Sequence, residues 1–265
     1  MKNRLMPSAK CEGGGCPGDC GTPNCAFARW AGARGLPSGV CKRISGAWRT
    51  NHYKKGNILF YQGNDPLSLF FLSSGMVKLV RADDSGRQHI MRVIHAPDLV
   101  GDRALLAGHP YAASAHVMGD AQICSLEMGR FKELWETEPE LSRMLARYLA
   151  HKLAAADEAA TDLALCTIRQ RLARLIVHRL KSGESVVELS ESRQEIADLL
   201  GTSPEVLSRT LSEFDHKGLV SVDERRLKVL NLPRLRAVAR VPGDGLTFVK
   251  RQPDICHWPH GPQAA

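Results

Sequence analysis

The sequence predicts an α+β fold in which a roll of short β-strands is followed by a long helix and then by a winged helix-turn-helix unit. Residues 53–128 contain short apolar or alternating runs separated by glycines, a pattern typical of an all-β roll or barrel. Residues 141–165 contain neither Gly nor Pro. Residues 192–217 predict two helices joined by a glycine-containing turn.

The chain of 265 residues is long enough for two domains with separate cores. Its N-terminus has no apolar segment behind the basic residues, and no later run approaches the roughly 18 apolar residues of a membrane span. We therefore expect a cytoplasmic protein with no membrane partner. The predicted parts are a cysteine-rich segment (1–50), the β-roll (51–138), the long helix (139–165), the helix-turn-helix domain (166–240) and a proline-containing tail that we expect to be disordered (241–265).

The β-roll prediction depends on glycine punctuation between apolar runs. The turn Asp83-Asp84-Ser85-Gly86 joins two of these runs, which predicts a hairpin. The predicted strands include Ile58–Tyr61, Leu69–Leu72, Met76–Arg81 and His89–Ile94.

The long helix carries apolar residues in alternating steps of four and three. This heptad spacing, with its small alanines, predicts that two copies of the chain pack along the helix as a homodimer. An ordinary helix packed on its own domain would show similar spacing, so that alternative stays open. The residues of the pattern are Leu149, Leu153, Ala156, Ala160 and Leu163.

The second helix of the helix-turn-helix unit has two different faces. Its start is marked by Ser203, which can cap the helix, and by Pro204 at the first helical position. Leu207, Leu211 and Phe214 recur at helical spacing and predict the buried face. The opposite face presents Glu205, Ser208, Arg209 and Ser212.

The exposed face holds side chains that read base edges in DNA. Arg209 can pair with guanine, Glu205 can accept from the cytosine amino group, and Ser208 can do either. A following strand-turn-strand with Arg225, Arg226 and Lys228 could contact phosphates as a wing. The alternative is a helical hairpin with a merely charged surface.

Four of the eight cysteines, Cys11, Cys16, Cys20 and Cys25, fall within fifteen residues rich in Gly and Pro. Disulfides are rare in a reducing cytoplasm. Soft thiolates at such spacing suit zinc or an iron-sulfur cluster. We therefore predict that this segment binds a metal or carries redox-active thiols.

The positive charge of the protein is concentrated around these cysteines. Residues 1–55 contain ten basic and two acidic side chains, which accounts for the whole net charge of +8. Such charge favours thiolates and offsets a negatively charged cluster. A solvated basic tail would show the same composition.

The order of these parts resembles the CRP/FNR family of bacterial transcription regulators over roughly residues 50–235. The most specific matches are Asp98–Gly101, Gly108–Pro110 and Glu205–Arg209. The last looks like the E-x-x-S-R signature of the FNR branch, since Pro204 occupies the place of the leading arginine in the CRP branch. The resemblance implies a homodimer on a palindromic operator with TTGAT-type half-sites, with RNA polymerase as a partner.

The same resemblance argues against cyclic AMP as a ligand. The CRP branch holds this nucleotide through a Gly-Glu pair and an arginine that faces the phosphate. Here Gly101-Asp102 shortens the carboxylate, and the run from Tyr111 to Ser114 lacks the arginine. A cyclic phosphate without a facing cation loses its strongest contact. Arg103 is the alternative cation.

The FNR branch holds a four-iron, four-sulfur (4Fe-4S) cluster with three N-terminal cysteines and one in the β-roll, where Cys124 matches. The N-terminal spacing, C-x4-C-x3-C-x4-C, departs from the usual C-x2-C-x5-C. The alternative is a cluster held by Cys11 with the next three cysteines. The ligands that we predict are Cys16, Cys20, Cys25 and Cys124, with Cys11 and Cys41 in reserve.

The resulting hypothesis is a DNA-binding regulator that senses oxygen or nitric oxide through this cluster. The alternative is the same regulator with a structural zinc site or a thiol switch. An iron-sulfur enzyme is disfavoured because the sequence contains no Gly-rich phosphate loop, H-E-x-x-H motif or nucleophile elbow.

Overall fold

The structure is a computed structural model that describes residues 25–86, 88–180, 183–189, 191–223 and 226–239. These residues form two compact units. The first unit ends at Tyr148, and the second contains residues 89–91 and the described residues from Leu149 onward. The boundary falls inside the long helix. Cys11, Cys16, Cys20, Arg225 and the predicted tail lie outside the described residues.

The first unit begins with two short helices and continues as a β-roll. Gly101 and Gly108 adopt positive φ angles on either side of the short helix α3. The elements are α1 (Ala26–Gly32), α2 (Ser38–Ser45), β1 (Arg49–Tyr53), β2 (Ile58–Phe60), β3 (Ser68–Ser74), β4 (Met76–Ala82), β5 (Gln88–His95), β6 (Asp98–Val100), α3 (Asp102–Ala107), β7 (Ser114–Val117), β8 (Ala121–Glu127) and α4 (Met128–Thr137).

The β-roll consists of two four-stranded sheets, with strand orders β1-β8-β3-β6 and β2-β7-β4-β5. Leu72, Val77, Val100 and Ile123 are among the residues of its apolar core. The sequence prediction of a β-roll is confirmed, and the strands lie where the glycine punctuation placed them.

Helices α1 and α2 cover the outer face of the β1-β8-β3-β6 sheet. The ring of Phe27 meets that of Phe71 on β3 edge-on, with centroids 5.4 Å apart. Trp30 and Trp48 contact the same ring at 5.5 and 6.2 Å. Sequence analysis missed this packing, although the buried apolar residues of α1 and α2 at helical spacing could have indicated it.

The long helix α5 spans Pro139–Leu165, as predicted for residues 139–165. Its first turns belong to the first unit, where Leu141, Met144, Leu145 and Tyr148 are buried. No helix in the described part of the chain is long and apolar enough to span a membrane.

The second unit continues from α5 with a three-helix core and a small sheet. The sheet has the order β10-β11-β9. Leu172, Ile176, Ile196, Leu207 and Phe214 are buried in its core. The elements are α6 (Ile168–Arg179), β9 (Val186–Glu188), α7 (Arg193–Leu199), α8 (Pro204–His216), β10 (Val220–Asp223), β11 (Arg226–Val229) and α9 (Leu232–Ala239).

Candidate nucleic-acid interface and cysteine site

Helices α7 and α8 form the predicted helix-turn-helix. Ser192 caps α7 in a reciprocal capping box with Glu195. Gly201 lies in the turn with a φ of +61°, a conformation that favours glycine. Ser203 then accepts a hydrogen bond from the backbone N–H of Val206 at 3.4 Å and caps α8.

The side chains predicted to read bases share one exposed face of α8. Thr210, on the other side, is buried and donates to the carbonyl of Val206 at 2.7 Å. The apolar residues of α8 are buried in the core, so the two faces are separated as predicted. The exposed residues are Glu205, Ser208, Arg209 and Ser212.

Local hydrogen bonds keep the Glu205 carboxylate charged. The hydroxyl of Ser203 and the backbone N–H of Glu205 donate to it, and both lower the pKa of this carboxyl below its usual range. An ionised Glu205 can only accept hydrogen bonds. The geometry therefore suits the amino group of cytosine, as sequence analysis expected.

Helix α8 is held against α6 by an ion pair. Glu213 of α8 accepts from Arg169 of α6 at 2.7 Å and from Lys217 one turn along at 2.5 Å. The hydrogen bond from Lys217 is the main reason why the pKa of Glu213 is lowered. These contacts fix the direction in which the exposed face of α8 points from its own unit.

The hairpin of β10 and β11 lies behind α8 in the sequence and corresponds to the predicted wing. Arg226 and Lys228 are exposed on β11. Arg226 lies 3.7 Å from the carboxylate of Glu188 on β9, with both side chains largely exposed. Both basic side chains are therefore accessible to a phosphate backbone.

Cys25 and Cys41 are buried thiols of the N-terminal helices. Cys25 immediately precedes α1, and Cys41 lies on the inner face of α2. The Cys41 thiol donates to the carbonyl of Leu36 at 3.5 Å. Burial raises the pKa of Cys41, and the nearby Cys25 raises it further. The two thiols therefore lie close enough to interact electrostatically.

Cys124 lies on β8, directly opposite Thr50 on β1 and Phe71 on β3. Directly opposite residues in antiparallel strands point to the same face. Because α1 packs on Phe71, Cys124 faces the layer that contains the N-terminal helices. Its sulfur lies 3.3 Å from the Thr50 hydroxyl. Within the described ranges, no three His, Cys, Asp or Glu side chains are grouped closely enough to hold a metal ion.

The interior of the β-roll is filled by an aromatic pair that sequence analysis missed. The rings of Phe60 and Tyr111 stack with centroids 3.6 Å apart and an interplanar angle of 11°. Burial raises the pKa of Tyr111 to about 12, and its hydroxyl donates to the carbonyl of Ser68. A Cβ atom at Gly101 would lie 3.0 Å from the Tyr111 ring. Arg103 is exposed on α3.

Comparison with known proteins identifies both halves of the chain. A cyclic nucleotide-binding domain model matches residues 50–138, and a Crp-like helix-turn-helix domain model matches residues 170–238. A transcriptional activator protein, anr, from Pseudomonas aeruginosa is 30% identical over 195 residues, covering 70% of this chain and 78% of the relative. A CRP-like cAMP-activated global transcriptional regulator from Mycobacterium tuberculosis is 24% identical over 194 residues, covering 71% and 87%.

The fold is also found among solved structures. FixK2 from Bradyrhizobium japonicum superposes with a TM-score of 0.66 at 20% identity, covering 73% of this chain and 98% of that one. The matched residues include the β-roll and the capped helix-turn-helix described above. The chain therefore belongs to the CRP/FNR family of DNA-binding transcription regulators.

Proposed function

We propose that this protein is an FNR-like regulator that binds a palindromic operator as a homodimer and senses oxygen or nitric oxide through a cysteine-ligated iron-sulfur cluster. The observation that carries the proposal is the position of Cys124, whose strand face is covered by the helices that follow Cys25. The β-roll thus brings a distant thiol to the layer of the cysteine-rich segment.

The DNA-binding part of the proposal rests on the exposed face of α8. Glu205, Ser208 and Arg209 match the branch signature and are all accessible to a base edge. The second half of α5 exposes Leu153, Leu163 and Leu165, with 54–69% of their surface accessible. An apolar helix face of this kind suits a second copy of the same helix. Transcription activation and contact with RNA polymerase follow by similarity to the activator anr.

The cysteines fit a thiolate-bound cluster by their chemistry. Cys25 and Cys124 are buried reduced thiols in the same layer. We assign the ligands as Cys16, Cys20, Cys25 and Cys124, and we keep Cys11 and Cys41 in reserve because the Cys41 thiol already donates within the helical hairpin. When bound, such a cluster supplies a centre that oxygen or nitric oxide can destroy.

Two contacts connect the N-terminal helices to the start of α5. Arg43 of α2 forms a two-pronged ion pair with Glu138, the residue immediately before α5. Trp30 of α1 meets Tyr148 of α5 edge-on, with ring centroids 5.2 Å apart. A change in the segment around Cys25 can therefore reach the helix that we assign to dimerisation.

The proposal predicts iron and acid-labile sulfide in anaerobically purified protein, with visible absorbance that bleaches in air. Cys124→Ser should lose most of the iron and the air-dependent change in operator binding, because serine is a poor ligand for iron-sulfur clusters. The measurements are metal and sulfide analysis and operator binding with and without air.

The matched control is Cys166→Ser, which removes a buried thiol in the second unit. It should keep both the cluster and the response to air. Colourless protein that contains zinc and binds DNA equally in air and without it would contradict the proposal. That result would favour a structural zinc site held by the four N-terminal cysteines.

A second prediction is that cyclic AMP does not bind the β-roll. The Phe60–Tyr111 stack packs against Gly101, and the run from Tyr111 to Ser114 provides no cation for a cyclic phosphate. Calorimetric titration should show no binding up to about 1 mM nucleotide. Micromolar binding would contradict this prediction, and its loss in Arg103→Ala would identify the alternative cation.

A further inference from the structure

Four buried hydrogen-bond donors of the first unit lack a partner among the described residues. They are the indole N–H groups of Trp30 and Trp48, the hydroxyl of Ser45 and the side-chain amide of Gln122. Each of these residues is at most 5% exposed. A buried donor without a partner costs about 1–3 kcal/mol, so native proteins contain few of them.

These donors are concentrated around the buried cysteines. Of the six unpartnered buried polar atoms in the described part of the chain, four lie in this layer, and the other two belong to arginines of the second unit. Ser45 lies one helical turn after Cys41 on the buried face of α2. Gln122 lies two residues before Cys124, and therefore on the same face of β8.

The two indoles approach the same layer from α1 and from the start of β1. Trp30 and Trp48 both contact Phe27, which lies two residues after Cys25. Both also contact Phe71, the strand neighbour of Cys124. The indole groups are thus placed between the helix that follows one thiol and the strand that carries another.

We infer that Trp30, Ser45, Trp48 and Gln122 donate hydrogen bonds to the sulfur atoms of the iron-sulfur centre and so set its reduction potential. Thiolate and sulfide sulfurs accept hydrogen bonds from N–H and O–H groups, and such bonds tune the potential of a cluster. The inference rests on the proposed function. It adds the residues that would hold the sulfurs beyond the ligands themselves.

The test replaces each indole by a ring that lacks the N–H group. Trp30→Phe and Trp48→Phe are compared with Trp135→Phe, which changes a partly exposed indole on α4. A donor stabilises the more negative, reduced form of the cluster, so its removal should lower the midpoint potential. The control should leave the potential unchanged. Potentiometric titration under anaerobic conditions measures the difference.

Thermal unfolding supplies a second readout that a packing role would not produce. In cluster-containing protein, Trp30→Phe should lower the midpoint temperature because a hydrogen bond is lost. In cluster-free protein, the same change should leave the midpoint unchanged or raise it, because it removes an unpartnered buried donor. Ser45→Ala, a smaller change, should follow the same pattern and guards against a failure of the phenylalanine variants to fold.

Three outcomes would overturn the inference. The first is a cluster whose potential is unaffected in all three variants. The second is equal destabilisation with and without the cluster, which would indicate that carbonyl groups of residues 1–24 accept these hydrogen bonds. The third is wild-type protein that contains no iron and sulfide, which would contradict the proposed function as well.

Discussion

Glu191→Ala is expected to destabilise the second unit by about 3–5 kcal/mol. The carboxylate of Glu191 is fully buried and accepts from both terminal nitrogens of Arg179, at 2.8 and 2.6 Å. Arg179 is itself 18% exposed. Removal of the carboxylate leaves a guanidinium charge largely out of water without this partner, and that penalty dominates the effect.

The position of this pair gives the loss a functional consequence. Arg179 is the last residue of α6, and Glu191 lies just before the cap of α7. The pair therefore ties the first helix of the helix-turn-helix to the core of its unit. With a total folding stability of 5–15 kcal/mol typical of a domain, we expect a large unfolded fraction and weaker DNA binding.

Urea denaturation followed by circular dichroism measures this prediction. The control is Glu188→Ala, since Glu188 is 74% exposed and only 3.7 Å contact with the exposed Arg226 is lost. Exposed pairs contribute at most about 1 kcal/mol. Equal effects of the two substitutions would show that burial of Glu191 has no energetic consequence. Replacement of both Arg179 and Glu191 by apolar residues should restore much of the stability.

The helix-turn-helix was predictable because its signals are local. Ser192 and Ser203 each cap the helix that follows, and Pro204 stands at the first helical position. Such interactions act within three or four residues, so the sequence contains the whole pattern. The glycines between strands act over a similarly short range, and the β-roll followed from them.

The packing around the cysteines was not predictable in this way. Phe27 and Phe71 contact each other across more than forty residues, and no periodicity in the sequence links them. The stack of Phe60 on Tyr111 is likewise a contact between distant strands and loops. Cys124 entered the candidate site only through family resemblance, because a lone cysteine in a strand is otherwise a small buried apolar residue.

The sequence also could not divide the long helix between the two units. Leu145 and Leu153 both belong to one apolar series along α5. In the structure Leu145 is buried in the first unit, whereas Leu153 is 64% exposed. Burial depends on which elements surround the helix, and this is a property of the tertiary fold.

Arg209→Ala is expected to abolish most of the preference for operator over random DNA. Arg209 is exposed on α8, one turn after the ionised Glu205 and beside Ser208. A good bidentate contact between arginine and guanine contributes about 1–3 kcal/mol of discrimination. Because a homodimer makes this contact in each half-site, we expect an operator-binding loss of roughly 2–6 kcal/mol.

The matched control is Lys228→Ala on the wing, which removes an exposed charge without touching α8. A phosphate contact weakens operator and random DNA alike and reduces the dependence of log affinity on log salt concentration by about one for each contact. Arg209→Ala should instead weaken the operator selectively, with little loss of binding to random DNA. Titrations of both variants on a duplex with TTGAT-type half-sites and on a shuffled duplex, at several salt concentrations, separate the two effects. If Arg209→Ala weakens both duplexes equally, Arg209 contacts phosphate, and base reading must be assigned to other residues of the α8 face.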